Sequence, residues 1–99
     1  MRAGVEQVFL KRRGPVTEAL LVLERETGAR ERVTLTLPSD DLARAVRLLA
    51  RHLAQTPDVS GTERCRVRVE RGGTLVDDHA LRDALRAAFV RERRGGEAA

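Results

Sequence analysis

Between Arg30 and Leu53 the period of the apolar residues changes once and abruptly, and that change constrains the fold more than any other feature. Val33, Leu35 and Leu37 alternate with Arg32, Thr34 and Thr36, the period-two pattern of a strand with one buried face. Pro38-Ser39-Asp40-Asp41 follows at once, and then Leu42, Val46, Leu49 and Leu53 recur at helical spacing on a single face. Ser39 is the expected N-cap, because its hydroxyl can accept from the free N–H groups of a first turn. Asp40 and Asp41 then lie at the positive end of the helix dipole. The helix is expected to stop near Gln55, before Pro57. A half-buried strand running straight into an amphipathic helix points to a sheet covered by helices, an α+β domain.

The flanking segments extend the pattern. Val5 to Arg12 reads as a strand closed by the turn Gly14-Pro15. Glu18 to Glu26 reads as a second strand, whose run Leu20-Leu21-Val22-Leu23 is apolar on both faces and so belongs in the middle of a sheet. Thr27-Gly28 reverses the chain into the third strand, Arg30 to Leu37, completing an antiparallel meander. Thr56 to Thr62 reads as a loop. Glu63 to Glu70 reads as a fourth strand, with Cys65, Val67 and Val69 on one side and Arg64, Arg66 and Arg68 on the other, broken by Gly72-Gly73. A second helix is expected from about Asp78 to Arg93, burying Leu81, Leu85, Ala88 and Phe89. The expected order is β-β-β-α-β-α in a single two-layer domain over residues 1–94. It comprises a four-stranded mixed sheet with two helices on one face, joined by a right-handed crossover. Residues 95–99 are expected to form a disordered tail.

Composition narrows the class. A chain of 99 residues accommodates one domain, and its 41% hydrophobic content is enough for a core. Phe9 and Phe89 are the sole aromatics, so that core must be built from Leu, Val and Ala. One cysteine, Cys65, rules out a disulfide scaffold. No run approaches the about 18 apolar residues of a membrane span, and residues 1–7 show no signal-peptide h-region. The expectation is a cytoplasmic protein without a membrane partner. The net charge is +4, and of 19 basic residues only Lys11 is lysine. Arginine keeps its proton beyond about pH 12, so the pI near 10.8 reflects residue choice more than a large excess of charge. The signs are mixed along the chain, so a basic surface arises only if folding sorts them onto different faces.

Two surface expectations follow. If Val33 and Val67 both face the helices, then Arg30, Arg32, Arg64, Arg66 and Arg68 share the opposite sheet face. Guanidiniums offer phosphates bidentate hydrogen bonds as well as charge, which makes these five the candidate nucleic-acid-binding residues. The competing and weightier expectation is neutralisation by Glu6, Glu18, Glu24, Glu26 or Glu31. Scarce aromatics also count against stacking of single-stranded bases. The second expectation comes from the doubly apolar strand. Leu20 and Val22 point one way, Leu21 and Leu23 the other, and one pair needs a cover besides the helices. A second copy supplies it, giving a homodimer or higher homo-oligomer through the sheet or its edge. Otherwise Phe9 or a loop folds over the pair.

Catalytic patterns are missing. There is no GxxxxGK[ST], GxGxxG or GxSxG. Neither Ser39 nor Ser60 has a histidine near it in sequence. His52 borders the apolar stripe of the first helix, and His79 opens the second behind Asp77 and Asp78. Joining Asp77, Asp78, His79 and Cys65 into a metal site lacks the paired short-range ligands that zinc favours. No catalytic residue, metal, cofactor or small-molecule substrate is assigned, and the chain does not read as an enzyme. Lys11-Arg12-Arg13 and Arg91-Glu92-Arg93-Arg94 read as solvated ends. Cys65, on the helix-facing side, is expected to react slowly with thiol reagents.

Residues 32–54, RVTLTLPSDDLARAVRLLARHLA, resemble the final strand and helix of purine-rich-element-binding (PUR) repeats, over about a quarter of the chain. The resemblance implies strands before a helix and nucleic acid bound on the sheet. The chain departs from that family in adding a further strand and helix and in lacking, on its first strands, the aromatic residues that family carries. Taken together, the sequence supports a small non-catalytic interaction module that self-associates, with a nucleic-acid-binding domain using the arginine face as the alternative.

Overall fold

The computed structural model describes residues 2–98, with side chains through residue 95. The elements run β1 (Ala3–Arg13), β2 (Val16–Arg25), β3 (Arg30–Leu37), α1 (Leu42–Ala54), β4 (Val59–Gly61), β5 (Arg66–Arg71), β6 (Thr74–Asp77) and α2 (His79–Ala98). This is an α+β domain with two helices and a mixed sheet. The sheet has six strands rather than the expected four, and the order is β-β-β-α-β-β-β-α.

The meander β1-β2-β3 is antiparallel, as its turns suggest. Gly14, at φ 59°, precedes Pro15 in the two-residue link between β1 and β2. A glycine at positive φ followed by a residue locked at negative φ is what the II′ hairpin turn requires. The remaining strands lie on the other side of β1, in the order β3-β2-β1-β5-β6. Both β4 and β5 run parallel to β1, β4 beside Ala3 and Gly4 and β5 beside Gln7 to Leu10. The expected loop and fourth strand are therefore two short strands laid end to end along β1.

The other addition is β6. Gly72 and Gly73, at φ 59° and 84°, do more than break a strand. They form a two-residue turn with both centres at positive φ, returning the chain antiparallel to β5 with Arg71 opposite Thr74.

Both helices cover the same side of the sheet. From α1, Ala45, Val46, Leu49, Ala50 and Leu53 join Leu85, Ala88 and Phe89 of α2 in one core. The sheet contributes Val5, Val8, Leu10, Ala19, Leu21, Leu23, Val67 and Val69. A bulge between Val5 and Gln7 lets Val5 and Val8 both point inward despite their odd spacing.

The N-cap of α1 is Asp41, not Ser39. Its carboxylate accepts from the N–H groups of Ala43 at 3.0 Å and Arg44 at 3.4 Å. Ser39 stands two residues too early. Its hydroxyl accepts from the Asp41 N–H at 3.1 Å, and its carbonyl accepts from the Thr17 hydroxyl at 2.8 Å, tying the entry of α1 to β2. At the other end, a guanidinium nitrogen of Arg93 donates to the carbonyls of Leu53, Thr56 and Val59 at 3.4, 3.1 and 2.6 Å. That side chain also lies 4.9 Å above the Phe89 ring. Arg93 thus binds the end of α1 and the start of β4 to α2. The helix runs past the Arg93 end expected for it, and the expected tail includes Ala99, which lies outside the described residues.

Candidate functional site

The sheet has one uncovered face, and the register places its side chains in rows. Phe9 lies between Leu20 and Arg68, with Thr34 beyond Leu20 and Asp77 beyond Arg68. The next row is Arg32, Val22, Gln7 and Arg66. The centre of the face is therefore an apolar strip of half-buried Phe9, Leu20 and Val22, with Leu75 of β6 at 49% exposure beside it. Leu21 and Leu23, on the other side of the same strand, are in the core. Phe9 sits beside Leu20 rather than over it, and no described element covers the strip.

The candidate arginines do not gather into one patch. β3 is an edge strand and β5 lies beyond β2 and β1, so Arg30 and Arg32 are about 14 Å from Arg66 and Arg68 at ordinary strand spacing. Arg64 precedes β5 in a turn, near Gly4, Ser60 and Gly61. Carboxylates meet three of the five. Arg30 donates to Glu6 at 3.0 Å, Arg66 donates to Asp77 at 3.1 Å, and Arg68 lies 3.5 Å from the same Asp77. Arg68 also stands 6.0 Å over the Phe9 ring. Arg32 and Arg64 make no ion pair among the described residues.

Glu6 was foreseeable as a partner. Asp77 was not, because it sits on β6, a four-residue strand with both faces exposed and no alternation to reveal it. The hydrogen bond from Arg30 holds the Glu6 carboxyl below its ordinary pKa, and that from Arg66 does the same for Asp77. Further pairs, Lys11–Glu70 at 3.6 Å and Arg13–Glu18 at 3.0 Å, complete a rim of alternating sign around the apolar strip.

The residues weighed as a metal site do not converge. Asp77 faces Arg66 and Arg68. Asp78 accepts from the Leu81 N–H at 2.9 Å and caps α2. His79 is exposed at the start of that helix. Cys65 is buried, and its carbonyl accepts from Arg86 at 3.1 Å. Burial pushes the Cys65 thiol up in pKa, against the opposing pull of Arg86. Among the described residues no three His, Cys, Asp or Glu side chains converge on a common point. No helix of the described residues is long and apolar enough to cross a membrane.

The opposite surface is different in kind. Arg44, Arg47 and Arg51 of α1 and Arg91 of α2 line a groove of about 230 Å³ between the helices, floored by Leu48 and Ala88. Among the described residues Glu92 is the one acidic side chain lining it, and it lies 3.6 Å from Arg51. The regular spacing of the three α1 arginines is visible in the sequence, but the contribution of Arg91 depends on how α2 packs. A second hollow, about 170 Å³ between β3 and the end of α1, has Leu and Val along half its lining and polar residues, His52 among them, along most of the rest.

No protein-family model, no curated protein and no solved structure matches this chain.

Proposed function

We propose that this protein is a non-catalytic, cytoplasmic interaction module that self-associates through its open sheet face. The observation carrying this reading is the strip Phe9, Leu20, Val22 and Leu75, left bare on the side of the sheet that the helices do not cover. The strands together present about 650 Å² in plan at ordinary strand dimensions, comparable with the about 800 Å² that each partner of a stable complex buries.

Charge favours a second copy as the occupant. A two-fold axis along the strands lays the β3 edge of one copy over the β5–β6 edge of the other. Arg32, without an ion pair among the described residues, then lies by the edge that carries Arg66 in its own row and the carboxylate of Asp77 one row on. Elsewhere on the face most cations meet a carboxylate, with Arg66 and Arg68 sharing Asp77, which lowers the repulsion between two copies. The same pairing is why nucleic acid is the less favoured partner for this face.

Sedimentation velocity at micromolar concentration tests the reading. The expected species has about 22 kDa, twice the 11.0 kDa of one chain, and Leu20→Asp with Val22→Asp reduces it to a folded monomer. A wild-type protein that stays monomeric throughout the micromolar range overturns the proposal.

A further inference from the structure

The groove between the helices holds four arginines against one glutamate, a local excess of three positive charges on a chain whose whole excess is four. Arg51 is engaged by Glu92, while Arg44, Arg47 and Arg91 have no carboxylate within ion-pair distance among the described residues. All four guanidinium-bearing residues are exposed. This is the reverse of the sheet face, where carboxylates meet most of the arginines. Nothing in the packing requires these side chains, since the helix contacts are made by Ala45, Leu49, Leu85 and Ala88 on their inner sides.

From Arg44 to Arg51 the helix rises about 10.5 Å, with Arg47 between and Arg91 across the groove. A duplex carries one negative charge per about 1.7 Å of its axis, so several phosphates fall within that reach. A lone phosphate on exposed guanidiniums gains little, because water screens each contact. A polyanion gains more, because each phosphate contacted releases condensed counterions. The groove offers no aromatic, Asn or Gln side chain to a base; beside Leu48, Ala88 and the engaged Glu92 it presents guanidiniums, which on a duplex meet the outer phosphates before the base edges.

We propose that the α1–α2 groove binds the phosphate backbone of duplex nucleic acid without reading its sequence, through Arg44, Arg47 and Arg91. This site is separate from the self-association surface and lies on the other side of the sheet. The two proposals stand or fall independently.

The test is fluorescence anisotropy of a labelled duplex DNA of about two helical turns with the full-length chain between 50 and 200 mM salt. Three free guanidiniums predict a log–log salt slope of about −2.7, or an affinity loss of about 40-fold over that range. Two duplexes of unrelated sequence are expected to bind alike. The variant Arg44→Gln, Arg47→Gln, Arg91→Gln is expected to lose this binding with an unchanged circular dichroism spectrum, and Arg66→Gln with Arg68→Gln to keep it. Any of three results overturns the proposal: no binding at 50 mM salt; binding lost in the sheet-face variant but kept in the groove variant; or saturable binding of inorganic phosphate with none of the duplex.

Discussion

The two sides of the sheet use arginine for opposite ends. On the open side, Arg30, Arg66 and Arg68 are paired with Glu6 and Asp77 around an apolar strip. On the helix side, Arg44, Arg47 and Arg91 stand together with one intervening carboxylate, already taken by Arg51. Counting arginines along the chain cannot distinguish these arrangements. What separates them is whether an acidic side chain falls opposite in the sheet register or beside it on a helix. The apolar residues show the same contrast within one strand, since Leu21 is sealed in the core while its neighbour Leu20 borders solvent.

That last contrast can be broken most directly. Leu21→Ala opens a cavity in the core and is expected to cost about 2–5 kcal/mol. Leu20→Ala, measured by urea denaturation at concentrations where the chain is monomeric, is expected to cost less than about 1 kcal/mol. Equal costs would mean that an element of the same chain already covers the open face, and the case for a second copy would go with it.

Arg93 sharpens the comparison from the helix side, because it is an arginine with a structural task. Its three carbonyl acceptors and its place over Phe89 predict that Arg93→Ala costs about 1.5–3 kcal/mol. Arg44→Gln, Arg47→Gln and Arg91→Gln each fall within about 0.5 kcal/mol of wild type. Thermal unfolding followed by circular dichroism separates the two groups. A groove variant as damaging as Arg93→Ala would recast the groove arginines as packing residues.

These distinctions also show what the sequence could carry. Strands with a clean alternation, such as Val33-Thr34-Leu35-Thr36-Leu37, and helices with a full apolar stripe were legible, and so was the doubly apolar character of β2. Elements without a period were not. Val59–Gly61 is too short to show one, and Thr74–Asp77 is exposed on both faces, so Gly72-Gly73 reads as an end rather than a turn. Missing β6 meant missing Asp77, and with it the partner of two of the five candidate arginines. The separation of β3 from β5 was hidden for another reason. Alternation says which face a residue takes, and nothing in it fixes the order of strands across the sheet. Asp41 displaced Ser39 as the cap because the helix starts at Leu42, a boundary that three consecutive capping-type residues, Ser39, Asp40 and Asp41, leave open.

The core side has its own titratable probe. Burial raises the Cys65 thiol, so the folded state resists its ionisation more than the unfolded chain does. Its contribution to stability is whole below the ordinary cysteine range and is lost as pH rises through the folded value. Stability is therefore expected to decline above about pH 8.5, and Cys65→Ala is expected to flatten that decline. Ellman's reagent should react slowly with the native protein at neutral pH. Rapid reaction would place the thiol outside the core and shift the helix-facing side of β5.

The smallest effect concerns Asp77, and it tests whether pairing is what separates the two sides. Asp77 is exposed, so its pairs with Arg66 and Arg68 contribute little to global stability, but they set the charge of the open face. Arg66 holds the Asp77 carboxyl below its usual range, so its stabilising share is present above the ordinary aspartate value and is lost as pH falls through the lower folded one. Carbon-detected NMR titration should show Asp77 ionising at lower pH in the native protein than in urea. Asp77→Asn removes the negative charge and one of the two acceptor oxygens while nearly keeping the shape. It leaves two guanidiniums beside Phe9 with no carboxylate and gives two approaching copies like charges to bring together. Self-association is then expected to weaken several-fold and to recover on adding salt, while duplex binding keeps its dependence on Arg44, Arg47 and Arg91. If the variant instead binds duplex independently of those three, neutralisation by one aspartate was all that kept the sheet face from being a second phosphate-binding surface.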